Sequence, residues 1–291
     1  MSKYYTLGRI PYLVCAPFFH NEVKESHFSY KSGSPAQCNR LLFDGFVQSA
    51  PSSSIEYAKN PTLYQISPHF CTASKDAIGS VILFSQKPFE EIQSVLLTQD
   101  SETSICLLDI LFKKWRNQEA ILVAERDSQP RPQGQAPQLQ DAKLLIGDLA
   151  LKESLNGQWK YQFDLASLWV KWTGLPFVFG LWIFRKDWSK ATKDIEGTLE
   201  NPCHDIQVDH KYWHQKLNQA IEDFETDPIG VYTRWSKSYP QTLSQTQALE
   251  YFNKINYRLG ASEIEGLKLF YQYAFECGQI PAIPEIDFLN I

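Results

Sequence analysis

The 291-residue chain has one methionine, no closely spaced cysteine pair and no block of basic residues, and each shortage excludes a class of function. Its six cysteines, Cys15, Cys38, Cys71, Cys106, Cys203 and Cys277, form no C-x-x-C motif, and several sit inside apolar patterns. Buried thiols in a reducing compartment are therefore expected, not a disulfide framework or zinc knuckle. Lys and Arg total 28 against 33 Asp and Glu, a net charge of −5, which offers no stripe to nucleic acid or to a membrane surface. Without such a stripe, the eight Trp belong to a core and not to base stacking. The N-terminus, MSKYYTLGRI, lacks an apolar leader core, which predicts a cytoplasmic chain. The most apolar run, 168–184, is broken by Lys171, Thr173, Gly174 and Pro176 and falls short of spanning a membrane. G-x-S-x-G, G-x-x-x-x-G-K-[ST] and H-E-x-x-H are all missing. His210 and His214 are spaced to share a helix face, but no third ligand accompanies them, so packing outweighs metal binding. His20, His27 and His69 read as structural or solvent-facing.

What is present is an apolar share of 43%, enough for one large or two medium domains. Short β-rich runs alternate with helical patterns, which predicts an α/β architecture with parallel sheets. Ligands of such sheets sit outside the strands' carboxyl ends. The most informative stretch is Thr98–Phe112. The β-rich run 94–98 stops in Gln99-Asp100-Ser101-Glu102-Thr103-Ser104, and Ile105, Leu108, Leu111, Phe112 and Trp115 follow at helical spacing. Hydroxyl residues at a helix start cap it, and the free N–H groups there can hold a carboxylate or phosphate. Two other strand ends repeat the pattern. Residues 46–50 lead into Pro51-Ser52-Ser53-Ser54, where Ser53 and Glu56 fit a capping box and Ser54 is the freer hydroxyl. Residues 143–148 end in Gly147-Asp148, with Asp148 able to cap the next helix or touch a ligand. Polar ends of this kind converging on a cleft make a small-anion site, which an acidic chain must support with a local positive pocket.

Residues 4–10 form the predicted first strand, followed by a proline-stiffened loop from Pro11 to Pro17 of the kind that carries binding residues. Gly79–Ser85 and Ala120–Ala124 read as buried strands, and Asp127–Asp141 as an exposed Pro/Gln-rich loop without chemistry. Leu175–Phe184 is a long predicted strand that carries the chain back across a hinge. Past Arg185 the strand signals stop. Helices over His204–Phe224, Thr242–Leu259 and Ser262–Phe275 are packing elements, the last opened by a Ser262/Glu265 capping box. The expected division is a discontinuous first lobe, 1–90 with 186–291, and a second lobe, 91–185.

From Ser53-Ser54-Ile55-Glu56-Tyr57-Ala58 onward the chain resembles the menaquinone biosynthesis family of the futalosine route, and within it the chorismate dehydratases. The likeness continues through Gly79-Ser80-Val81-x-Leu83-Phe84-Ser85, Leu97-Thr98-x-x-Ser101-x-Thr103-Ser104 and Leu145-Ile146-Gly147-Asp148-x-Ala150-Leu151. It extends over Thr173-Gly174-Leu175-Pro176-Phe177-Val178-Phe179 to Tyr257-Arg258-Leu259-Gly260. The resemblance implies a two-lobed α/β fold like a type II periplasmic binding protein, with a helical C-terminal region and lobes that close by a hinge. It implies a lyase that dehydrates chorismate, a small carboxylate, to 3-[(1-carboxyvinyl)oxy]benzoate without a metal or redox cofactor. The substrate's own side-chain carboxylate takes the proton in that picture. Ser80, Thr103 and Ser104 are then expected to bind carboxylate or enolate, with Tyr12, Ser53, Ser54, Ser101, Gly147 and Asp148 lining the cleft.

The first loop departs from the family, which resembles Tyr-Leu-Asn-x-x-Pro there and whose Asn is central to turnover. This chain reads Tyr12-Leu13-Val14-Cys15-Ala16-Pro17, and the Val14 side chain neither donates nor accepts a hydrogen bond. Tyr12 and Asn39 are the candidate substitute donors. A second reading is therefore a cytoplasmic small-carboxylate binder whose chemistry is lost or changed. A third is an enzyme like 1,4-dihydroxy-6-naphthoate synthase, against which the Ser53–Ala58 motif speaks.

Overall fold

In a computed structural model, residues 5–20, 28–124, 140–186, 206–241 and 243–291 are described, 206–208 by their backbone alone. The chain opens with β1 (Tyr5–Arg9), α1 (Ala16–Phe19), β2 (Phe28–Ser32), α2 (Pro35–Phe43), β3 (Ser49–Ser53), α3 (Ser54–Lys59) and β4 (Tyr64–Ser74). It continues with β5 (Val81–Ser85), β6 (Ser94–Leu97), α4 (Glu102–Ile110), β7 (Ile121–Ala124), β8 (Ala142–Ile146), α5 (Gly147–Leu155), β9 (Tyr161–Asp164) and α6 (Leu165–Thr173). Strand β10 (Phe177–Arg185) returns, and α7 (Ile206–Thr226), α8 (Pro228–Ser238), α9 (Gln245–Phe252), β11 (Asn256–Arg258) and α10 (Ala261–Glu276) complete the chain.

The strands make two sheets, a six-stranded one in the order β11-β4-β10-β3-β1-β2 and a five-stranded one in the order β7-β6-β8-β5-β9. Both are mixed, where the sequence pattern predicted parallel pairing. β1 runs parallel to β2 and β3, but β10 runs antiparallel to β3 and β4. β6 runs parallel to β7 and β8, while β5 opposes β8 and β9. The reason is geometric. β5 and β10 are the first strands the chain makes after crossing between lobes, so each starts at the crossing and runs away from it. Strands β1, β3 and β8 run toward it. The second sheet begins with β5, ahead of the expected boundary at 90, and β10 pairs in the first sheet.

Four strands and two helices escaped the sequence pattern: β2, β4, β9, β11, α1 and α8. β4 is eleven residues long, but its alternation is interrupted by Pro68 and His69. β11 is only three residues and splits the predicted helix over 242–259; pairing with β4, not its own pattern, makes it a strand. β7 was expected to be buried, yet Ile121 is 69% exposed because β7 is an edge of its sheet. Most of the predicted 127–141 loop and Cys203 lie outside the described residues.

Capping also differs from the pattern. Ser53 forms no side-chain cap on α3. Its own N–H, which Glu56 would need for a box, is taken by Asn39 Oδ1 at 3.1 Å. Glu56 instead accepts from Tyr64 Oη at 2.8 Å and Asn60 Nδ2 at 3.0 Å, and burial pushes its carboxyl up to about 7. Capping boxes close α2 through Ser34 and Gln37, and α9 through Ser244 and Gln247. On α10 the reach-back comes from Glu263 to the Gly260 N–H at 3.1 Å, two residues earlier than the expected Ser262/Glu265 pair.

His210 and His214 pack as buried neutral rings. His210 bonds Tyr5 through Nδ1 and the Arg185 carbonyl through Nε2, and His214 Nε2 meets Ser67 Oγ at 3.0 Å. Burial pushes both pKa values down to about 4. Among the described residues no helix is long and apolar enough to cross a membrane. Helix α10 seats on the crossing segment through Gly266, where an added Cβ would lie 2.1 Å from the Pro176 carbonyl oxygen. Gly266→Ala is favoured by helix propensity by about 1 kcal/mol. The clash reverses that, and urea unfolding is expected to show a net loss of roughly 2 kcal/mol. An unchanged or raised midpoint would mean that α10 does not seat this closely.

Candidate functional site

The carboxyl ends of β1, β3 and β8 and the starts of β5 and β10 surround a cavity holding about 630 Å³ of empty space, part of it open to solvent. One wall is apolar, with Ile10, Val14, Val81, Ile146 and Phe179. The polar positions are hydroxyl-bearing and come from both lobes: Ser52, Ser53 and Thr72 from the first sheet, and Ser80, Ser101 and Ser104 from the second-sheet side. Among the described lining residues no Lys, Arg, His, Asp or Glu side chain is present. The described lining thus supplies hydroxyls and not the local positive pocket expected for a small acid in an acidic chain.

Of the nine residues the sequence pointed to, Tyr12, Ser53, Ser80, Ser101, Ser104 and Gly147 line this cavity. Ser54, Thr103 and Asp148 stand behind it. Ser54 Oγ donates to the Val178 carbonyl at 2.8 Å and lies 3.4 Å from Thr103 Oγ1, which also accepts the Ile55 N–H at 3.2 Å. Both hydroxyls are fully buried and tie α3 to α4. Ser101 caps α4 by accepting the Ser104 N–H at 3.2 Å, and the two hydroxyls meet at 2.9 Å. Ser80 Oγ accepts from Tyr251 Oη at 2.9 Å, while its carbonyl takes the Gly147 N–H at 2.7 Å. Helix α5 starts at Gly147 with no side-chain cap, and its first N–H, that of Gly147, is taken by the Ser80 carbonyl.

Two lining residues passed unnoticed in the sequence. Thr72 sits on unread β4, and Ser52 lay in a turn whose neighbours looked more like caps. Asn39 does not reach the lining; its Oδ1 holds Ser52 Oγ at 2.5 Å and the Ser53 N–H, which orients the end of β3. Val14 does line the cavity, and its carbonyl accepts from Tyr257 Oη at 3.0 Å.

The lobes also touch at the first loop. Asp148 Oδ1 accepts the Leu13 N–H at 3.0 Å, and the Tyr12 ring lies against Gly147, where a Cβ would come within 2.7 Å of it. Gly147 has φ +60°, so glycine suits both the turn and the close approach. Burial, then the neighbouring Asp100 and Asp148 carboxylates, push the Tyr12 phenol up, leaving it a neutral donor. Burial pushes Asp148 up to about 6, against the lowering effect of its single N–H partner. A carboxyl raised in the folded state contributes stability below its unfolded value of 3.8 and loses it as pH rises through about 6. Asp148→Asn keeps an acceptor for Leu13 and removes the charge. It is expected to raise stability by roughly 1–2 kcal/mol at neutral pH, with little change at pH 4. Equal melting temperatures of variant and wild type at neutral pH would show that solvent already relieves this carboxylate.

Comparison with known proteins places these features. A family model described as menaquinone biosynthesis matches residues 5–276. The chain is 30% identical over 204 residues to chorismate dehydratase of Thermus thermophilus, covering 63% of this chain and 70% of that protein. It is 28% identical over 180 residues to chorismate dehydratase of Campylobacter jejuni, covering 59% of this chain and 64% of that one. Among solved structures, a protein of Archaeoglobus fulgidus superposes with TM-score 0.64 at 18% identity, covering 94% of this chain and 98% of its own. The periplasmic aliphatic sulphonate binding protein of Escherichia coli superposes with TM-score 0.60 at 11% identity, over 98% and 96% of the two chains. At those identities the likeness shows the fold alone, and the fold is that of periplasmic binding proteins. With a family match that runs from the first strand to the last helix, the chain belongs to the menaquinone biosynthesis family.

Proposed function

We propose that the cavity binds chorismate and that the protein is a hydro-lyase, acting in the cytoplasm in the futalosine route to menaquinone, which removes water to give 3-[(1-carboxyvinyl)oxy]benzoate. The observation that carries this reading is the meeting of hydroxyl donors from both lobes in one cavity with no charged side chain among its described lining. Relatives named chorismate dehydratase support it. Loss of the ring proton spreads negative charge onto the ring carboxylate, and the Ser80 hydroxyl donates to it. The Ser101–Ser104 pair holds the second carboxylate. The substrate's own side-chain carboxylate takes the proton and delivers it to the departing hydroxide, so that one water leaves for each aromatic product formed. Tyr12 and Cys15, the lining groups with titratable protons, are both pushed up by burial and stay protonated.

Val14 on the cavity wall favours a second reading, a small-carboxylate binder without turnover. Purified protein incubated with chorismate, with the aromatic product followed by chromatography, separates the two. Product formation with a kcat nearly level from pH 6.5 to 9 is expected, because no lining base titrates there. Ser80→Ala is expected to lower kcat/KM by roughly tenfold to a hundredfold, as for a lost bond to a charged group. A chorismate-induced rise in melting temperature without product would establish the binder, and turnover gained by Val14→Asn would trace the loss to that position.

A further inference from the structure

The hydroxyl of Ser80 has one partner outside the cavity, and that partner comes from the other lobe. Tyr251 lies on α9, among the C-terminal helices that follow the return to the first sheet, whereas Ser80 immediately precedes β5 of the second sheet. The Tyr251 Oη–Ser80 Oγ distance is 2.9 Å, with the phenol as donor. Tyr251 is 3% exposed and burial raises its pKa, so the phenol keeps its proton. The turn that carries Ser80 is held on its other sides as well. Asp164 accepts the Gly79 N–H at 2.6 Å and the Ile78 N–H at 3.2 Å, and the Gly147 N–H takes the Ser80 carbonyl. Gly79 has φ +80°, and a Cβ there would stand 3.4 Å from Lys254 Nζ and 3.9 Å from the Tyr251 ring.

A hydroxyl that already accepts a strong donor turns its own proton elsewhere, and the remaining direction at Ser80 is the cavity. We propose that Tyr251 is a positioning residue that, when the lobes meet, occupies one lone pair of Ser80, directs the Ser80 proton into the cavity and so favours a carboxylate or enolate oxygen at this wall. This rests on the small-carboxylate reading above. It adds a cause for the polarity of the site and a link between lobe closure and that polarity: separation of the lobes breaks the Tyr251–Ser80 bond and leaves the Ser80 hydroxyl free to turn its proton away.

Tyr251→Phe keeps the ring and removes only the donor. Steady-state turnover of chorismate is measured for wild type, Tyr251→Phe, Ser80→Ala and the double variant. In parallel, calorimetry compares the affinity of each for 3-hydroxybenzoate with that for 3-hydroxybenzamide. Tyr251→Phe is expected to lose about tenfold in kcat/KM, and the double variant no more than Ser80→Ala alone, since the phenol acts only through Ser80. The preference for carboxylate over amide is expected to narrow several-fold in Tyr251→Phe, because the Ser80 hydroxyl, no longer oriented by the phenol, is free to turn and accept from the amide N–H. Loss of packing alone would weaken both ligands equally. Additive losses, or an unchanged carboxylate-to-amide ratio, would overturn the proposal. If wild type does not turn over chorismate, the dehydratase reading falls while the ligand ratio still decides the role of Tyr251; a wild type that binds neither probe overturns both.

Discussion

The two halves of the molecule are joined beside the buried hydroxyl of Ser54. Its Oγ donates to Val178 of the return strand, its carbonyl accepts from Tyr271 of α10 at 2.8 Å, and beside it Thr103 of α4 receives the Ile55 N–H. A hydroxyl without solvent must satisfy its proton and lone pairs within the protein, so each partner is obligatory. Those bonds fix α3 against α4 and both against β10. The start of α4, with Ser101 and Ser104, is thereby set opposite Ser52 and Ser53 at the end of β3. Exposed interlobe ion pairs, Lys59 with Glu102 and Lys114 with Glu276, line the same side but are partly solvated and add little.

The cleft next to this seam is neutral in its side chains and polar in its backbone. A cationic side chain buried there would have to shed its hydration before any ligand arrived. Helix starts and hydroxyls present fixed dipoles at a smaller desolvation penalty, and they need no rearrangement when charge develops on a ligand. Beyond that seam the lobes also meet through Leu13 with Asp148, Tyr251 with Ser80, and the Ala36 N–H with the Asp100 carbonyl at 3.1 Å. The seam at Ser54 and the loop at Tyr12 thus join the lobes at two places beside the cavity.

Much of the site was legible because helix starts announce themselves. Ser101 reads as a cap and is one; Ser80 and Gly147 fall at strand boundaries that hydrophobic pattern alone marks. Ser53 illustrates the limit. The S-x-x-E spacing predicts a capping box, but Asn39, fourteen residues earlier, takes the N–H that the box requires. Local sequence carries no information about that competitor. The same holds for Ser54 and Thr103, which look like ligand hydroxyls until their partners from β10 and α3 are seen.

What the chain's own order of residues determined is the alternation of strands and helices, the polar strand ends and the family motifs, because each depends on neighbours a few positions apart. What only the tertiary structure decided is the direction of β5 and β10, the existence of β4 and β11 as strands, and which hydroxyls face the cavity. Those depend on pairing and burial between segments as far apart as Ser80 and Tyr251. A hydroxyl's role follows from which of its lone pairs and protons are already taken, and that is settled by whatever the fold brings beside it.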